Sequence, residues 1–290
     1  MTPIAPPIKC QGIKTKLVPL IHACLPAHIA GTWIEPFCGS CVVALNVMPE
    51  RAILTDANPH IIGFYQGIQS GEITASSVRH FLVQEGRLLS REGEAHYYRV
   101  RARFNESHQP LDFLFLSRAC FNGVMRFNKQ GDFNVPFCKK VDRFSPAYIT
   151  KIANQVKRFS EVIRGRDWQF RVGDFRATLQ NVTPGDFVYA DPPYIGRHVD
   201  YFNTWNETDE QALVALLRGL PCHFILSTWH SNEYRTNSLL QANWQEARFS
   251  MRTIEHFYHV GATEELRNAI REAIVANYTL PELQPDPVWE

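Results

Sequence analysis

Asp191-Pro192-Pro193-Tyr194 directly follows Asp186-Phe187-Val188-Tyr189-Ala190, a short apolar run that reads as a buried strand. A carboxylate and a proline carbonyl together accept both hydrogens of an exocyclic amine. That draws electron density onto the nitrogen and turns its lone pair toward an incoming methyl group. Two successive prolines remove two backbone donors and fix φ, so the carbonyls are rigidly aimed outward. Tyr194 adds a flat face on which a base can stack, worth about 1–3 kcal/mol. The bland alternative is a polyproline turn that merely ends the strand. The tyrosine and the strand before the motif favour the chemical reading, because ligands of open α/β sheets sit at the carboxyl ends of strands.

A second group of residues has the same logic. Glu35-Pro36-Phe37-Cys38-Gly39-Ser40 follows the strand-like Trp33-Ile34-Glu35, and a tight glycine turn there brings backbone close to a bound cofactor. Asp56 ends the next apolar run, Arg51-Ala52-Ile53-Leu54-Thr55, about 20 residues on, where a carboxylate grips ribose hydroxyls in nucleotide-binding folds. Asp56-Ala57-Asn58-Pro59 would also serve as a helix N-cap, and the two roles are compatible.

The elements that must position these residues alternate between strand and helix. Helical patterns cover 16–25, 42–47, 76–89, 94–104, 111–120 and 209–217. Strand patterns cover 33–35, 51–56, 170–172, 186–190, 222–228 and 273–278. Such alternation implies an α/β sheet. The middle of the chain has a different texture, rich in Arg, Phe and Tyr and mainly helical. It ends in a hairpin-like stretch, 127–134, whose Lys129-Gln130-Gly131-Asp132 tip is a turn between aromatics. The expected organisation is therefore a sheet-bearing domain from 1–58 and 158–290, with 59–157 inserted.

Composition narrows the class. With 45% hydrophobic and 20% charged residues the chain has enough apolar material for one large core plus a smaller module. No apolar run reaches the roughly 18 residues that span a bilayer, and 1–16 has no apolar signal region, so a cytoplasmic protein without membrane partners is expected. Seven cysteines in such a chain argue against a disulfide framework. Cys38 and Cys41 have the spacing of a redox pair or half a zinc site, but no second pair completes one; no metal is expected. Thirty basic residues against 29 acidic give a net charge of only +1, so any nucleic-acid surface must be local. Lys129, Lys139, Lys140 and Arg143 cluster near the hairpin and either neutralise phosphates or form a solvated face. Arg126, between Met125 and Phe127, is presented from an apolar base, as a guanine-reading arginine would be; a surface arginine is the alternative. His198, Tyr201 and Phe202 follow the Asp191 loop closely, and Trp229-His230 follows a strand; neither group suggests a role by itself.

The ordered set Gly12-Ile13-Lys14, Glu35 to Ser40, Asp56-Ala57-Asn58, Gly173-Asp174-Phe175 and Asp191 to Tyr194 resembles the Dam-type, D12-class DNA adenine-N6 methyltransferases. Cys120-Phe121-Asn122-Gly123-Val124-Met125-Arg126-Phe127-Asn128 and Phe133-Asn134-Val135-Pro136-Phe137 match that family's target-recognition hairpin. The segments 8–17 and 194–202 look most like the EcoRV modification methyltransferase branch, and the likeness runs from about residue 8 to 278. The chain departs from the pattern at Cys10, where many members have Trp, and at Cys41, where the family turn ends in glycine.

The resemblance implies a Rossmann-like S-adenosylmethionine-dependent methyltransferase sheet with an inserted, mainly helical target-recognition domain carrying a β-hairpin. It implies methyl transfer from S-adenosylmethionine to adenine N6 in double-stranded DNA by base flipping, at a GATATC-like or GATC-like site. Cytosine-N4 or RNA methylation and a catalytically silent DNA-binding regulator are the rival readings. The implied catalytic residues are Asp191, Pro192, Pro193 and Tyr194. Implied cofactor contacts are Cys10, Lys14, Phe37, Gly39, Ser40, Asp56, Asp174, Phe175 and Asp191, and implied DNA contacts are Phe121, Asn122, Val124, Arg126, Asn128, Pro136 and Lys139. A monomer is implied, in an orphan enzyme or one with a cognate restriction endonuclease that forms no stable complex.

Overall fold

The computed structural model describes residues 2–195, 205–257 and 269–282. Its centre is a seven-stranded sheet. The strands are β1 (Trp33–Glu35), β2 (Arg51–Asp56), β3 (Asp167–Val172), β4 (Phe187–Ala190), β5 (His223–Ser231), β6 (Ser250–Phe257) and β7 (Ala269–Ala276). They lie in the order β3-β2-β1-β4-β5-β7-β6. The first five run parallel, and β7 inserts antiparallel between β5 and β6. This is the expected α/β architecture, doubly wound.

Alternation along the central strands explains why both faces are covered. Trp33, Phe187, Tyr189 and Ile225 belong to one apolar cluster, whereas Ile34, Val188, Ala190, Phe224 and Leu226 belong to the other. Successive side chains of a strand point to opposite faces, and a parallel strand buried on both reads as a continuous apolar run. On the first face lie α1 (Val18–Cys24), α2 (Val42–Val47), α3 (Pro59–Ser70) and α7 (Pro146–Ile163). Tyr65 of α3 stacks on Phe159 of α7 at 4.6 Å and on Phe170 of β3 at 5.6 Å. Gln66 and Gln69 of α3 donate to the Phe170 and Trp168 carbonyls, at 2.8 and 2.6 Å, satisfying groups along an edge strand. On the second face lie α8 (Phe175–Leu179), α9 (Glu207–Gly219) and α10 (Ser238–Trp244), through Phe175, Leu179, Leu213, Leu217, Leu240 and Trp244.

Between α3 and α7 the chain forms α4 (Ala75–Glu92), α5 (Glu94–Ser107) and α6 (Pro110–Ala119), then a 3-10 turn (Phe121–Gly123) and the hairpin. Helix α5 holds the hairpin: Tyr97 donates to the Val135 carbonyl at 2.9 Å, and Asn105 accepts the Phe133 N–H at 2.9 Å. The hairpin is minimal, closed by an isolated Phe127–Phe133 bridge and by Asn134 N–H to Arg126 O at 3.1 Å.

The N-terminal strap crosses these parts. Ile4 exchanges two backbone bonds with the Asn46 amide of α2. The Arg118 guanidinium of α6, buried, donates to the Pro7 carbonyl and to Gln155 of α7. The strap delivers Lys14 to the carboxyl ends of the strands. No helix among the described residues is long and apolar enough to cross a membrane.

Candidate active site

Strand order reverses between β1 and β4: the chain leaves β1 toward β2 and β3 on one side and β4 toward β5 on the other. A crevice opens at such a switch point, beyond the carboxyl ends of the two strands. Here those ends lead into the turn after Glu35 and into Asp191-Pro192-Pro193-Tyr194.

In the first turn, Gly39 has φ of +45° and no atom within 4 Å of where a Cβ would stand, so its backbone borders open space. Asp56, at the tip of β2, accepts the Gly39 N–H at 2.9 Å and the Asn58 N–H at 2.8 Å. Burial raises its carboxyl above the ordinary range, and those two bonds oppose the rise. Asn58, rather than Asp56, caps α3 by accepting the His60 N–H at 3.0 Å. Ser40 is buried and its carbonyl takes the Tyr65 hydroxyl at 2.6 Å. Phe37 packs on Phe175 at 5.4 Å and meets Trp205 edge-on at 5.5 Å. Asp174 caps α8 through the Arg176 N–H and pairs with the Arg176 guanidinium, which reaches on to Asp209 at 2.6 Å.

Around β4 the charges are closer. The Lys14 ammonium, 3% exposed, lies 3.0 Å from Asp191 Oδ1 and 4.0 Å from Glu272 Oε2, and donates to the Gly12 carbonyl at 2.9 Å. It stands 4.9 Å above the Tyr194 ring. Tyr194 is buried against Trp229 of β5. Burial lifts the Asp191 carboxyl to about 6; Lys14 opposes the lift and Glu272 adds to it. Glu35, which accepts the Trp33 indole N–H at 2.8 Å, is pushed by burial to about 8.

The structure thus brings together Lys14 and Asp191 to Tyr194 in one cluster, and Gly39 and Asp56 in one hydrogen-bonded turn. Glu272, Trp205 and Trp229 were not expected as site residues. Glu272 carries a sequence signal, an acid preceding the apolar Ala273-Ile274-Val275-Ala276; Trp205 carries none, and Trp229, singled out above as following a strand, lies within β5 itself. Cys10 is half-buried, its thiol 3.9 Å from the Met125 sulfur. Cys38 and Cys41 are buried free thiols lifted above the ordinary range by burial, the reverse of what a reactive pair needs. Among the described residues no group of His, Cys, Asp and Glu could hold a metal ion.

The residues expected at DNA divide by their surroundings. Phe121 is 47% exposed, an unusual position for a phenylalanine. Next to it Asn122, exposed, has φ of +53° and Gly123 has +68°. Pro136 is exposed and its carbonyl takes the Phe121 N–H at 2.8 Å, so the two form one rim. Val124 is half-buried, and Lys139 is exposed with φ of +60°. Arg126 is half-buried; its Nε donates to Asn134 Oδ1 at 2.7 Å while Met125 and Phe127 are buried beside it. Asn128 builds the turn: its Oδ1 accepts from the Gln130 and Asp132 N–H groups, both at 2.9 Å. His198, Tyr201 and Phe202 lie outside the described residues.

The family model for D12 class N6 adenine-specific DNA methyltransferase matches residues 11–265. The chain belongs to that family. Its relatives include the DNA adenine methylase of Serratia marcescens, 31% identical over 225 residues, 73% of this chain and 77% of that one. The type II methyltransferase M.FokI of Planomicrobium okeanokoites is 27% identical over 288 residues, and the modification methylase StsI of Streptococcus sanguinis 28% over the same length. The chain spans 43% of the length of each of the last two.

Proposed function

We propose that the chain transfers a methyl group from S-adenosylmethionine to adenine N6 in duplex DNA. The observation that carries this reading is the Asp191 carboxylate at the tip of β4, at the strand-order switch point, beside a buried tyrosine and a lysine. Asp191 and the Pro192 carbonyl accept the two amine hydrogens. Pro193 keeps the loop stiff, and Tyr194 bears the base. A base inside a duplex cannot reach this cluster, so it must be extruded, which costs a few kcal/mol.

The crevice suits the donor. Open space beside Gly39, the Asp56 carboxylate at the ribose position, and the aromatic wall of Phe37 and Phe175 fit a nucleoside. The nearby acids Asp56 and Asp191 complement a sulfonium charge. Bound there, the donor would supply an electrophilic methyl carbon: the N6–carbon bond forms as the sulfonium carbon–sulfur bond breaks, sulfur leaves with the electron pair as a neutral thioether, and the N6 proton is released to water. Lys14, Ser40, Asp174 and Cys10 border the crevice in this reading, Asp174 chiefly by ordering α8.

Residues 59–157 read the DNA in this proposal, with α3 and α7 at its margins fixed to the sheet. Phe121, Asn122, Val124, Arg126, Pro136 and Lys139 form the contacting rim, and Asn128 shapes it. Arg126 reads a guanine, so the target contains a GA step, as in a GATATC-like or GATC-like site. We further place the protein in the cytoplasm as a monomer, an orphan enzyme or one serving a restriction endonuclease without binding it.

Asp191→Ala should abolish methyl incorporation into duplex DNA, with DNA binding reduced less than about threefold, because the proposed DNA-contacting rim lies elsewhere, at 121–139. Nucleoside mass analysis after wild-type treatment should show N6-methyladenine. Near-normal turnover by the variant, or N4-methylcytosine as product, would overturn the reading.

A further inference from the structure

Glu272 has no part in the mechanism just given, yet it is among the most buried charged residues of the chain, at 1% exposure in the central antiparallel strand β7. Its register partner on β5 is Trp229, the residue that packs against Tyr194. A carboxylate in such a place is costly unless it serves a nearby cation. Among the described residues the Lys14 ammonium lies 4.0 Å from Glu272 Oε2 and 3.0 Å from Asp191 Oδ1.

That geometry poses a problem that Glu272 solves. If the amine of an incoming base is to be held by Asp191, the carboxylate must keep acceptor strength. A lysine paired with Asp191 alone would cancel its charge at the point where charge is needed. A second carboxylate on the other side of the ammonium divides the cation's field between two acids.

We propose that Glu272 is a positioning residue: it shares the Lys14 ammonium with Asp191, so that the Asp191 oxygen stays basic enough to accept the substrate amine. The inference rests on Asp191 being the amine acceptor. Among the described residues, the groups facing Asp191 are Lys14 from the strap, Glu272 from β7, Glu35 from the tip of β1, Tyr189 from β4 and the Tyr194 ring. Of these, Lys14 lowers the carboxyl and Glu272 raises it, while Glu35 and Tyr189 are raised chiefly by burial, with the Asp191 charge adding to it. Removing Glu272's charge must therefore let Asp191 ionise at lower pH while tying Lys14 more tightly to it.

The test is the pH dependence of single-turnover methyl transfer to duplex DNA under saturating S-adenosylmethionine. Glu272→Gln should move the acid limb down by about one pH unit and lower the plateau several-fold, with KM for DNA little changed. Glu272→Asp, which keeps the charge, should hold the limb at the wild-type pH. In a Lys14→Met background, Glu272→Gln should cause no further plateau loss, because Glu272 acts through Lys14; a packing role would give equal losses in both backgrounds. An unmoved limb in a folded Glu272→Gln protein overturns the proposal, as does a displaced limb in Glu272→Asp, which carries the test should the glutamine variant not fold. Asp191→Asn separates the two readings. An active Asp191→Asn enzyme sinks the amine-acceptor role itself, whereas an inactive one with an unmoved Glu272→Gln limb sinks only the inference about Glu272.

Discussion

At the scale of single residues, the sharpest departure from family expectation is Cys41, which occupies a left-handed backbone position, φ 55° and ψ 21°, with its side chain fully buried. A non-glycine residue in that region carries a penalty of roughly 1–2 kcal/mol. Glycine would relieve it, but would lose about 1 kcal/mol of buried side chain and roughly 0.5–1 kcal/mol more through the freer unfolded chain. These terms offset, so Cys41→Gly should change stability by less than about 1 kcal/mol, whereas Cys41→Val, β-branched in a left-handed position, should cost about 2 kcal/mol or more. Chemical denaturation of the two variants checks the order; a valine variant as stable as wild type would show that the turn relaxes. The same residue explains why the C-x-x-C spacing misleads as chemistry. Two buried thiols lifted by desolvation pack a turn and do not react, and both should resist alkylation at neutral pH until the protein unfolds.

At the scale of elements, the strap matters because it alone delivers Lys14. Arg118 ties it to α6 and α7 through the Pro6 and Pro7 carbonyls, Gln155 and the Tyr148 hydroxyl, and burial lowers its tendency to hold a proton. A buried cation held by carbonyls leaves them unsatisfied when it is removed, at about 1–3 kcal/mol each. Arg118→Met should therefore destabilise the protein by roughly 3 kcal/mol and cut transfer through a displaced Lys14, with Arg118→Lys intermediate because it lacks the planar fork. Thermal melts with parallel rate measurements decide it; full activity in a destabilised Arg118→Met enzyme would separate the strap from Lys14. The strap's course shows where sequence reading ends. β1, α2 and β2 are legible to the residue because Pro36, Gly39 and Pro49 punctuate them. α3 is not, since it is apolar on most sides, with Ile61, Ile62, Phe64, Tyr65 and Ile68 all buried, and its Gly63 and Gly67 imitate a loop. Gly67 is there because a Cβ would meet the Ile73 side chain at 2.7 Å. α7 is periodic, with Ile149, Ile152, Ala153, Val156, Phe159 and Ile163 at helical spacing after Ser145-Pro146, although the alternation read above does not include it; β6 escapes because an antiparallel edge strand mixes Met, Arg, Thr, Ile and Glu. The motif residues of the site are all legible in order. Their charges are not: Glu272 reaches Lys14 only through a strand placed between β5 and β6, a contact no local pattern encodes.

At the scale of the whole molecule, a net charge of +1 supplies no overall field toward DNA, so the proposed binding must come from a local surface. The exposed rim beside the hairpin is the candidate, and its members are expected to act in different ways. Lys139 and Lys140 are exposed on a loop, and in the proposed reading they contribute by releasing counterions, a contribution blind to sequence. Lys139→Ala with Lys140→Ala should weaken binding to every duplex alike and flatten the slope of log affinity against log salt by about 1 per lysine. Arg126 differs because its guanidinium is held by Asn134 over buried Met125 and Phe127, a fixed fork rather than a mobile charge. Arg126→Ala should cost about 1–3 kcal/mol on the cognate site only and relax the preference at one base pair. Methylation-site sequencing of DNA from cells expressing each variant, with salt titrations of binding, distinguishes the two effects. If Arg126→Ala lowered affinity evenly across sequences, the hairpin would be holding phosphates, and the reading of bases would belong to another part of the chain.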